Sequence, residues 1–474
     1  METTKKKPVT IINNSHILSQ LQVSNLAFNE TIMKQYFMNK VEYFQAGQIS
    51  NNFAQWQALT SDSEVLNRVQ GLKIEFSMKP VQQPHQWTSR FSPGKKIIIH
   101  AEIIKLLAKR IIKVSEHEQR EYISPIFVSP KKDGSFRMIL NLKKLNAYVV
   151  YHHFKMESIW SAIRLMTPNC FMASIDLKDA YYSVPIASED QKYLKFEWDN
   201  TLYQFTCFSN GLACCPRKFT KLMKPVKMGH QASPYIDDSF LTGSSYEDCA
   251  TNVVDTTKLI DKLGFVAHPE KSVFIPTQEL VFLGFVLNSV TMQVRLTNEK
   301  ATKLMNACQE LLTKPQSTIR QVASVIGLLV SSFPGVALGP LYYRMLEVDK
   351  IAALLSHKGD FDKPMSLSLP PREELKWWIN NVHTASNPIQ RAEPTVTLKT
   401  DASKLVWGGI VQEHSTGGLC SVGEAAEHIN YLEMLAVFLC LKSFRDLLCG
   451  KHVMVRVDNT TAECVIRQMG TSHG

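Results

Sequence analysis

No two cysteines in this chain stand at C-x-x-C spacing, although there are ten, at 170, 207, 214, 215, 249, 308, 420, 440, 449 and 464. That scatter excludes a readable zinc knuckle or disulfide framework and suits a reducing, intracellular compartment, cytoplasm or nucleus. Met1 to Thr10 is polar, carries three lysines and shows no apolar run, so no secretory signal is legible. Lys5-Lys6-Lys7-Pro8 reads as a solvated tail in preference to a nuclear address. Long uncharged stretches are scarce as well. The one that needs testing as a membrane span, Val322 to Tyr343, is interrupted by Pro334, Pro340 and three glycines. Such breakers suit a buried helix, a turn and a second packed segment, and no membrane partner is expected. Internal repeats and low-complexity tracts are missing too.

What is present is a globular chain of 474 residues, 45% hydrophobic and 20% charged, long enough for several domains or subdomains. Lys and Arg total 53 against 43 Asp and Glu, a formal charge of +10. That excess suits a polyanionic partner, because each neutralised phosphate releases a counterion. Solubility alone asks for the same excess, so charge decides little.

Residues 1–90 form an N-terminal extension without legible chemistry, which Trp56, Trp87 and Phe91 would pack onto the next part of the chain. Ile97 to Lys113 reads as an amphipathic helix with Ile103, Ile104, Leu107 and Ile111 on one side. Strands, glycine turns and helices then alternate up to a strand-like Leu280–Leu287. Ala301, Leu304, Met305, Cys308 and Leu311 form a helical stripe with Thr297 as N-cap, and Ile319, Val322, Ile326 and Leu329 form another. Residues 358–392, with Pro364, Pro370 and Pro371, read as a linker, and a new strand pattern opens near Val396.

The chemistry lies in the carboxylates. Cys170 to Asp176 alternates, with Phe171, Ala173 and Ile175 on one face, and a strand with one buried face would carry Asp176 to its exposed end. Pro234-Tyr-Ile-Asp-Asp-Ser-Phe-Leu241, whose Asp237 follows Asp176 by sixty-one residues, sets two carboxylates between apolar stretches, the pattern of a hairpin tipped by Asp237 and Asp238. Alone, either is an ordinary strand cap or solvated turn. Together, two neighbouring strands ending in carboxylate make a cluster whose repulsion calls for cations. Two Mg²⁺ (or Mn²⁺) ions so held serve in-line phosphoryl displacement.

Here a resemblance is specific. Ser174-Ile-Asp-Leu-Lys-Asp-Ala-Tyr-Tyr182 resembles the first catalytic motif of reverse transcriptases, and Tyr235-Ile-Asp-Asp238 resembles their Y-x-D-D hairpin. Residues 131–146 look like the fingers motif and Phe208 to Phe219 like the segment beneath the incoming nucleotide. His268-Pro-Glu-Lys-Ser272 and Leu283-Gly-Phe285 match the two motifs after the hairpin. Six motifs stand in the family's order, and their wording is most similar to DIRS-type retrotransposons, whose integrase is a tyrosine recombinase. The resemblance implies RNA-directed DNA synthesis with Asp176, Asp237 and Asp238 as metal ligands, on an RNA template and DNA primer, from deoxynucleoside triphosphates. It implies that Lys132 and Arg137 contact the triphosphate, which Arg can grip bidentately. It makes Tyr181 an aromatic gate against a ribose 2′-hydroxyl, although Tyr181 and Tyr182 suit palm packing equally. Lys271 matches a lysine that protonates the leaving pyrophosphate, and a surface lysine would look the same. Asn210 falls at a nucleotide-positioning site where relatives carry Gln or an aromatic.

One spacing departs from the family. Tyr235 follows Phe219 by only sixteen positions, short by roughly two helical turns, or about 10 Å of helix. That contraction should strain the hairpin's support. It is what a catalytically inactive retroelement remnant that at most binds nucleic acid would show, and this stands as the alternative to an active enzyme.

A second constellation lies near the C-terminus. Thr395 to Ser403 alternates and ends near Asp401, Val406–Val411 reads as its hairpin partner, and Glu433 opens a helix striped by Leu435, Ala436, Leu439 and Cys440. His452 to Val457 is β-rich and ends in Asp458-Asn459. T-D-A-S, E-M-L-A and V-D-N-T resemble retroelement ribonuclease H, which implies that Asp401, Glu433 and Asp458 are metal ligands acting on an RNA–DNA hybrid. About 80 residues remain after Thr395, so the resemblance implies a C-terminally truncated domain with little or no hydrolytic activity. The expected fold class is α+β: a right-hand polymerase with fingers and palm over 91–290 and a helical thumb over 291–357. The 358–392 linker then leads to a partial ribonuclease H-like α/β domain over 393–474.

Overall fold

The computed structural model describes residues 30–82, 91–130, 136–154, 156–227, 232–389 and 393–469. Lys132 and Trp87 lie outside the described residues. The chain divides into two compact units, Met1–Phe282 and Leu283–Gly474.

In the first unit, helices Glu30–Glu42, Phe53–Leu59, Ser63–Gln70 and Pro93–Ala108 precede the strands. These are β1 (Ile112–Val114), β2 (Ile126–Pro130), β3 (Phe136–Leu140), β4 (Phe171–Asp176), β5 (Lys195–Trp198) and β6 (Thr201–Phe205), then β7 (Ala232–Tyr235), β8 (Asp238–Gly243), β9 (Val273–Thr277) and β10 (Glu279–Phe282). The central sheet runs β7-β8-β4-β9, and β1-β6-β5 and the β2-β3 hairpin form separate sheets. Helix Tyr246–Lys262 packs against β8, β4 and β9. Its start is fixed by Ser245, whose side chain accepts from Asp248 N.

The N-terminal stretch is more than an appendage. From residue 30 on it shares one core with the central sheet: Phe37 stacks on Phe274 at 6.0 Å, and Trp56, fully buried, meets Phe265 edge-on and donates from Nε1 to Leu263 O at 3.0 Å. The Tyr36 hydroxyl donates to Asp261 at 2.7 Å, which satisfies a buried polar group that would otherwise cost stability. Phe91 packs edge-on against Trp198.

The amphipathic helix differs in register from the sequence expectation. Pro93 sits in its first turn, where a missing N–H costs nothing. The helix ends at Ala108, before Arg110 turns into the left-handed region at φ 54°. Its buried residues are Ile99, Ile103 and Leu106, whereas Ile104 is exposed and Ile111 has left the helix. Strand β4 departs as well. Met172, Ala173, Ser174 and Ile175 are all buried, because β4 is an inner strand covered on both faces. Pro234 is accommodated because β7 is the sheet's edge.

The second unit opens with the hairpin β11 (Phe285–Asn288) and β12 (Gln293–Leu296). Helices Asn298–Thr313 and Ile319–Val330 come next, the first capped by Thr297 as expected and the second by a Thr318–Gln321 capping box. The stretch from 322 to 343 is broken into the end of that helix and two short 3-10 turns. No helix among the described residues is long and apolar enough to cross a membrane. The unit also holds helix Arg344–Ser356 and the two-residue strands β13 (Ser317–Thr318), β14 (Pro364–Met365) and β15 (Asn387–Pro388). The expected linker carries a helix, Leu369–Asn381, with Leu375 and Trp378 fully buried. Pro370 and Pro371 occupy its first turn, so they start a helix where the sequence reading took them for a break. Glu374 from this helix accepts from Met345 N and Leu346 N, capping helix Arg344–Ser356.

The chain then forms a four-stranded sheet in the order β18-β17-β16-β19, from β16 (Val396–Ala402), β17 (Val406–Val411), β18 (His414–Leu419) and β19 (Val453–Arg456). β19 runs parallel to β16 and the other pairs are antiparallel. Helix Ile429–Ser443 lies on β16 and β17. Gly409 permits the approach, since a Cβ there would meet Cys440 Sγ at 2.4 Å.

Candidate active site

The first cluster is built by strand register. β4 and β8 pair antiparallel so that Asp176 stands directly opposite Asp238. Side chains paired across two strands project to the same face. The turn between β7 and β8 is Ile236-Asp237, with Tyr235 opposite Asp238. Ile236 stands at φ 54°, a conformation that a β-branched residue rarely adopts and that costs on the order of 1–3 kcal/mol. The strain turns Asp237 toward β4, where its carbonyl accepts from Leu177 N at 2.7 Å. Asp176 is held from the other side: Ser272 Oγ accepts from its N–H at 3.1 Å, and His268 N donates to its carbonyl at 2.7 Å.

Negative charge accumulates here. Partial burial, then the neighbouring Asp237 and Asp176 charges, then a hydrogen bond to the Asp176 carboxyl push Asp238 up to about 7. Asp237 is raised by burial and by Asp176. The Lys271 ammonium, 3.6 Å from Asp176 Oδ2, offsets part of this. Carboxylates crowded closely enough to raise one another are a donor set that fits divalent metal ions.

The acids open onto a cleft of about 390 Å³, lined among others by Arg137, Asp176, Tyr181, Tyr182, Asn210, Asp237, His268 and Lys271. Among the residues singled out from sequence, Arg137, Asp176, Tyr181, Asn210, Asp237 and Lys271 therefore share one wall-to-wall space, with Asp238 beside it. Tyr181 lines the cleft, and its ring packs edge-on against Phe219 and Phe208 at 5.3 and 6.2 Å. The motifs alone assign no role at the site to His268 or Asp179, and they give Tyr182 only a packing role. Asp179 also lines the cleft and takes a 2.8 Å ion pair from Lys109. His268 opens the motif that contains Lys271, which was the signal for it; Asp179 and Tyr182 were visible only as neighbours of Tyr181.

Between Phe219 and Tyr235 the described chain holds the end of helix Cys215–Met223, a 3-10 turn at Pro225–Lys227 and β7. The β7–β8 ladder beyond it is regular over four positions. Among the described residues of this region, Ile236 holds the one left-handed backbone conformation.

The second cluster joins Asp401 on β16, Glu433 on helix Ile429–Ser443 and Asp458 just after β19. One ligand oxygen from each lies within 4.8 Å of the others. Glu433 sits in the buried stripe Leu432, Glu433, Ala436, Val437 and Cys440, one helical step from the expected stripe, with Leu435 and Leu439 only half-buried. Its Oε2 is buried without a hydrogen-bond partner. Burial, then Asp458 and Asp401, raise its carboxyl above the ordinary range. An orphaned buried carboxylate oxygen facing two exposed aspartates again fits a divalent cation.

A β-sheet backed by a helix, with three aspartates at adjoining strand ends over a polar cleft, is the palm of a right-hand polymerase. Comparison with known proteins shows what the chain is similar to. Residues 129–287 match the family described as reverse transcriptase (RNA-dependent DNA polymerase). The chain is 20% identical over 490 residues to the retrovirus-related Pol polyprotein from transposon 412 of Drosophila melanogaster, covering 97% of this chain and 36% of that protein. It is 21% identical to the transposon Tf2-3 polyprotein of Schizosaccharomyces pombe, covering 93% of this chain and 32% of that one. The chain thus spans about a third of the length of these relatives. Among solved structures it is similar to the foamy viral protease-reverse transcriptase in complex with dsDNA, at TM-score 0.59 and 17% identity, covering 98% of this chain and 92% of that one. The same viral protein in complex with an RNA/DNA hybrid gives TM-score 0.56 at 16% identity, over 95% and 59% of the two chains. The likeness to these solved structures shows the α+β right-hand polymerase fold, and residues 129–287 match the reverse transcriptase family.

Proposed function

We propose that this protein is an RNA-directed DNA polymerase of a retrotransposon, extending a DNA primer on an RNA template from deoxynucleoside triphosphates. The observation that carries the reading is the register pair Asp176–Asp238 with Asp237 turned in beside it, at the mouth of a cleft that also holds Arg137 and Lys271. Asp176, Asp237 and Asp238 would hold Mg²⁺ or Mn²⁺, which supplies activation of the primer 3′-oxygen and neutralisation of the leaving pyrophosphate. Arg137, and Lys132 with it, grip the triphosphate. Tyr181, fixed by Phe219 and Phe208, closes the sugar side of the cleft against a 2′-hydroxyl, and Asn210 positions the nucleotide. Lys271, already beside Asp176, delivers a proton to the departing pyrophosphate.

Asp401, Glu433 and Asp458 form a second divalent-ion site in a ribonuclease H-like domain over residues 393–474, directed at an RNA–DNA hybrid. The motif wording further supports a DIRS-type element, which a tyrosine recombinase gene in the flanking DNA would test.

Primer extension with oligo-dT on poly-A decides the main reading. Extension in Mg²⁺ or Mn²⁺ that Asp237→Asn abolishes is the expected result. The contracted interval before Tyr235 favours one rival, an inactive remnant. Nucleic-acid binding without extension would establish that rival instead.

A further inference from the structure

The loop from Ser209 to Ala213 presents Asn210 to the cleft. This backbone includes Gly211 at φ 98°, a conformation favouring glycine. Its geometry is set from outside by one side chain. Asn146 Nδ2 donates to Gly211 O at 2.8 Å, and its Oδ1 accepts from Ala213 N at 2.9 Å. An amide that engages a carbonyl with its nitrogen and an N–H with its oxygen has only one workable orientation, since the flipped amide would set donor against donor. Asn146 therefore clamps the loop across 65 residues of sequence.

The Asn210 side chain is held separately. It is exposed, yet its Nδ2 donates to the Tyr182 hydroxyl at 3.3 Å. Tyr182 packs against the main core and reaches the cleft wall with its polar tip. Burial keeps that hydroxyl protonated far above its ordinary range. With one amide proton engaged by Tyr182, Asn210 keeps Oδ1 and its second proton for a ligand.

We propose that Asn146 and Tyr182 are positioning residues, which preset Asn210 to receive the incoming deoxynucleotide. This rests on the polymerase reading above. Asn is one methylene shorter than Gln, so its amide reaches less far and depends more on being aimed. The pair of clamps supplies that aim, one on the backbone and one on the side chain, before any nucleotide arrives.

Tyr182→Phe keeps the ring and removes only the hydroxyl. In steady-state primer extension by the full chain, it should raise KM for the deoxynucleotide about three- to tenfold, the range set by one lost side-chain restraint. It should leave kcat within about twofold and the affinity for primer–template unchanged. Combined with Asn210→Ala it should add nothing further, because the residue it positions is already gone. Asn146→Ala, checked for an unchanged melting temperature, should show the same selective rise in KM; if it does not fold, Tyr182→Phe still decides. Unchanged KM in Tyr182→Phe, or an effect that adds in full to Asn210→Ala, overturns the proposal while leaving the polymerase reading intact. A wild-type chain that extends no primer overturns both.

Discussion

The two carboxylate triads of this protein solve the same electrostatic problem by different constructions. Asp176, Asp237 and Asp238 come from adjoining antiparallel strands and a strained turn, with the Lys271 ammonium beside them and polar or basic side chains across a cleft. Asp401, Glu433 and Asp458 come from two parallel strands and a helix, and their ligand oxygens lie within 4.8 Å of one another. Among the described residues no other trio of such side chains is that compact. The lesson is one of preorganisation. If both triads hold cations as proposed, the compact trio would bind one unaided, whereas the looser first triad would leave coordination positions for the phosphates of a substrate.

The largest expected effect separates a triad member from its surroundings. Asp176→Asn keeps the shape of β4 and the bonds from Ser272 and His268 to its backbone but removes one of the charges a metal pair needs. Primer extension should fall by roughly 10³-fold or more, since metal-borne charge stabilisation amounts to several kcal/mol. A loss below about tenfold would show that the register pair is not the metal site.

Next comes metal binding without nucleic acid. Mn²⁺ at about a hundred times its dissociation constant should stabilise the folded chain by about 2.7 kcal/mol per occupied site. Most of the rise in melting temperature should vanish in Glu433→Gln and survive in Asp237→Asn. If Asp237→Asn removes it instead, the polymerase triad is the preorganised one and the comparison is reversed.

How much of this was legible beforehand depends on how local each determinant is. The Tyr235–Asp238 hairpin, strand β4 and the helices begun by Thr297 and Thr318 are set by short-range pattern and capping, and they stand where the sequence places them. Misreadings arose where tertiary contacts chose among equivalent patterns. Ile97, Ile99, Ile103, Ile104 and Leu106 offer more than one apolar face, and packing on the strands selected Ile99, Ile103 and Leu106. Glu433 was legible as an acid but not as a buried one, because nothing local reveals that its stripe faces β16. Trp56 was expected to pack onward, but its bond to Leu263 spans 207 residues. The Asn146 clamp escaped notice for the same reason.

A smaller effect concerns pH. Asp238 is raised in the folded, metal-free protein, whereas an unfolded Asp titrates near 3.9. A raised folded value means that the folded state binds the proton more tightly. The stability this contributes is complete below the unfolded value and is lost as pH rises through about 7. Asp238→Asn, which cannot ionise, should therefore be more stable than wild type in EDTA at pH 8, by roughly 1–2 kcal/mol after allowance for solvent screening. The advantage should shrink steadily toward pH 4. A gain independent of pH would locate it in packing, and no gain at all would mean that the triad is not crowded. Glu433→Gln should move the same way, since burial and two neighbouring acids raise Glu433 too.

The smallest expected effect belongs to Lys271, the ammonium beside Asp176. Lys271 reaches Asp176 at 3.6 Å, but its side chain is 64% exposed, so water screens most of its field. It is nonetheless among the groups that lower Asp237 and Asp238. Lys271→Ala should raise the pH at which Asp238 titrates in metal-free protein by less than about one unit, read from carboxyl ¹³C shifts in EDTA. Added salt should shrink the difference between wild type and variant, because only a screened surface charge has been removed. The groups that shift Glu433 are its own burial, Asp458, Asp401 and the Ala402 backbone, with no lysine among them, so the second triad's titration should not respond to this substitution. A shift of several units would mean that Lys271 is desolvated against the acids in solution. The polymerase triad would then be partly neutralised before any metal binds, in contrast to its counterpart.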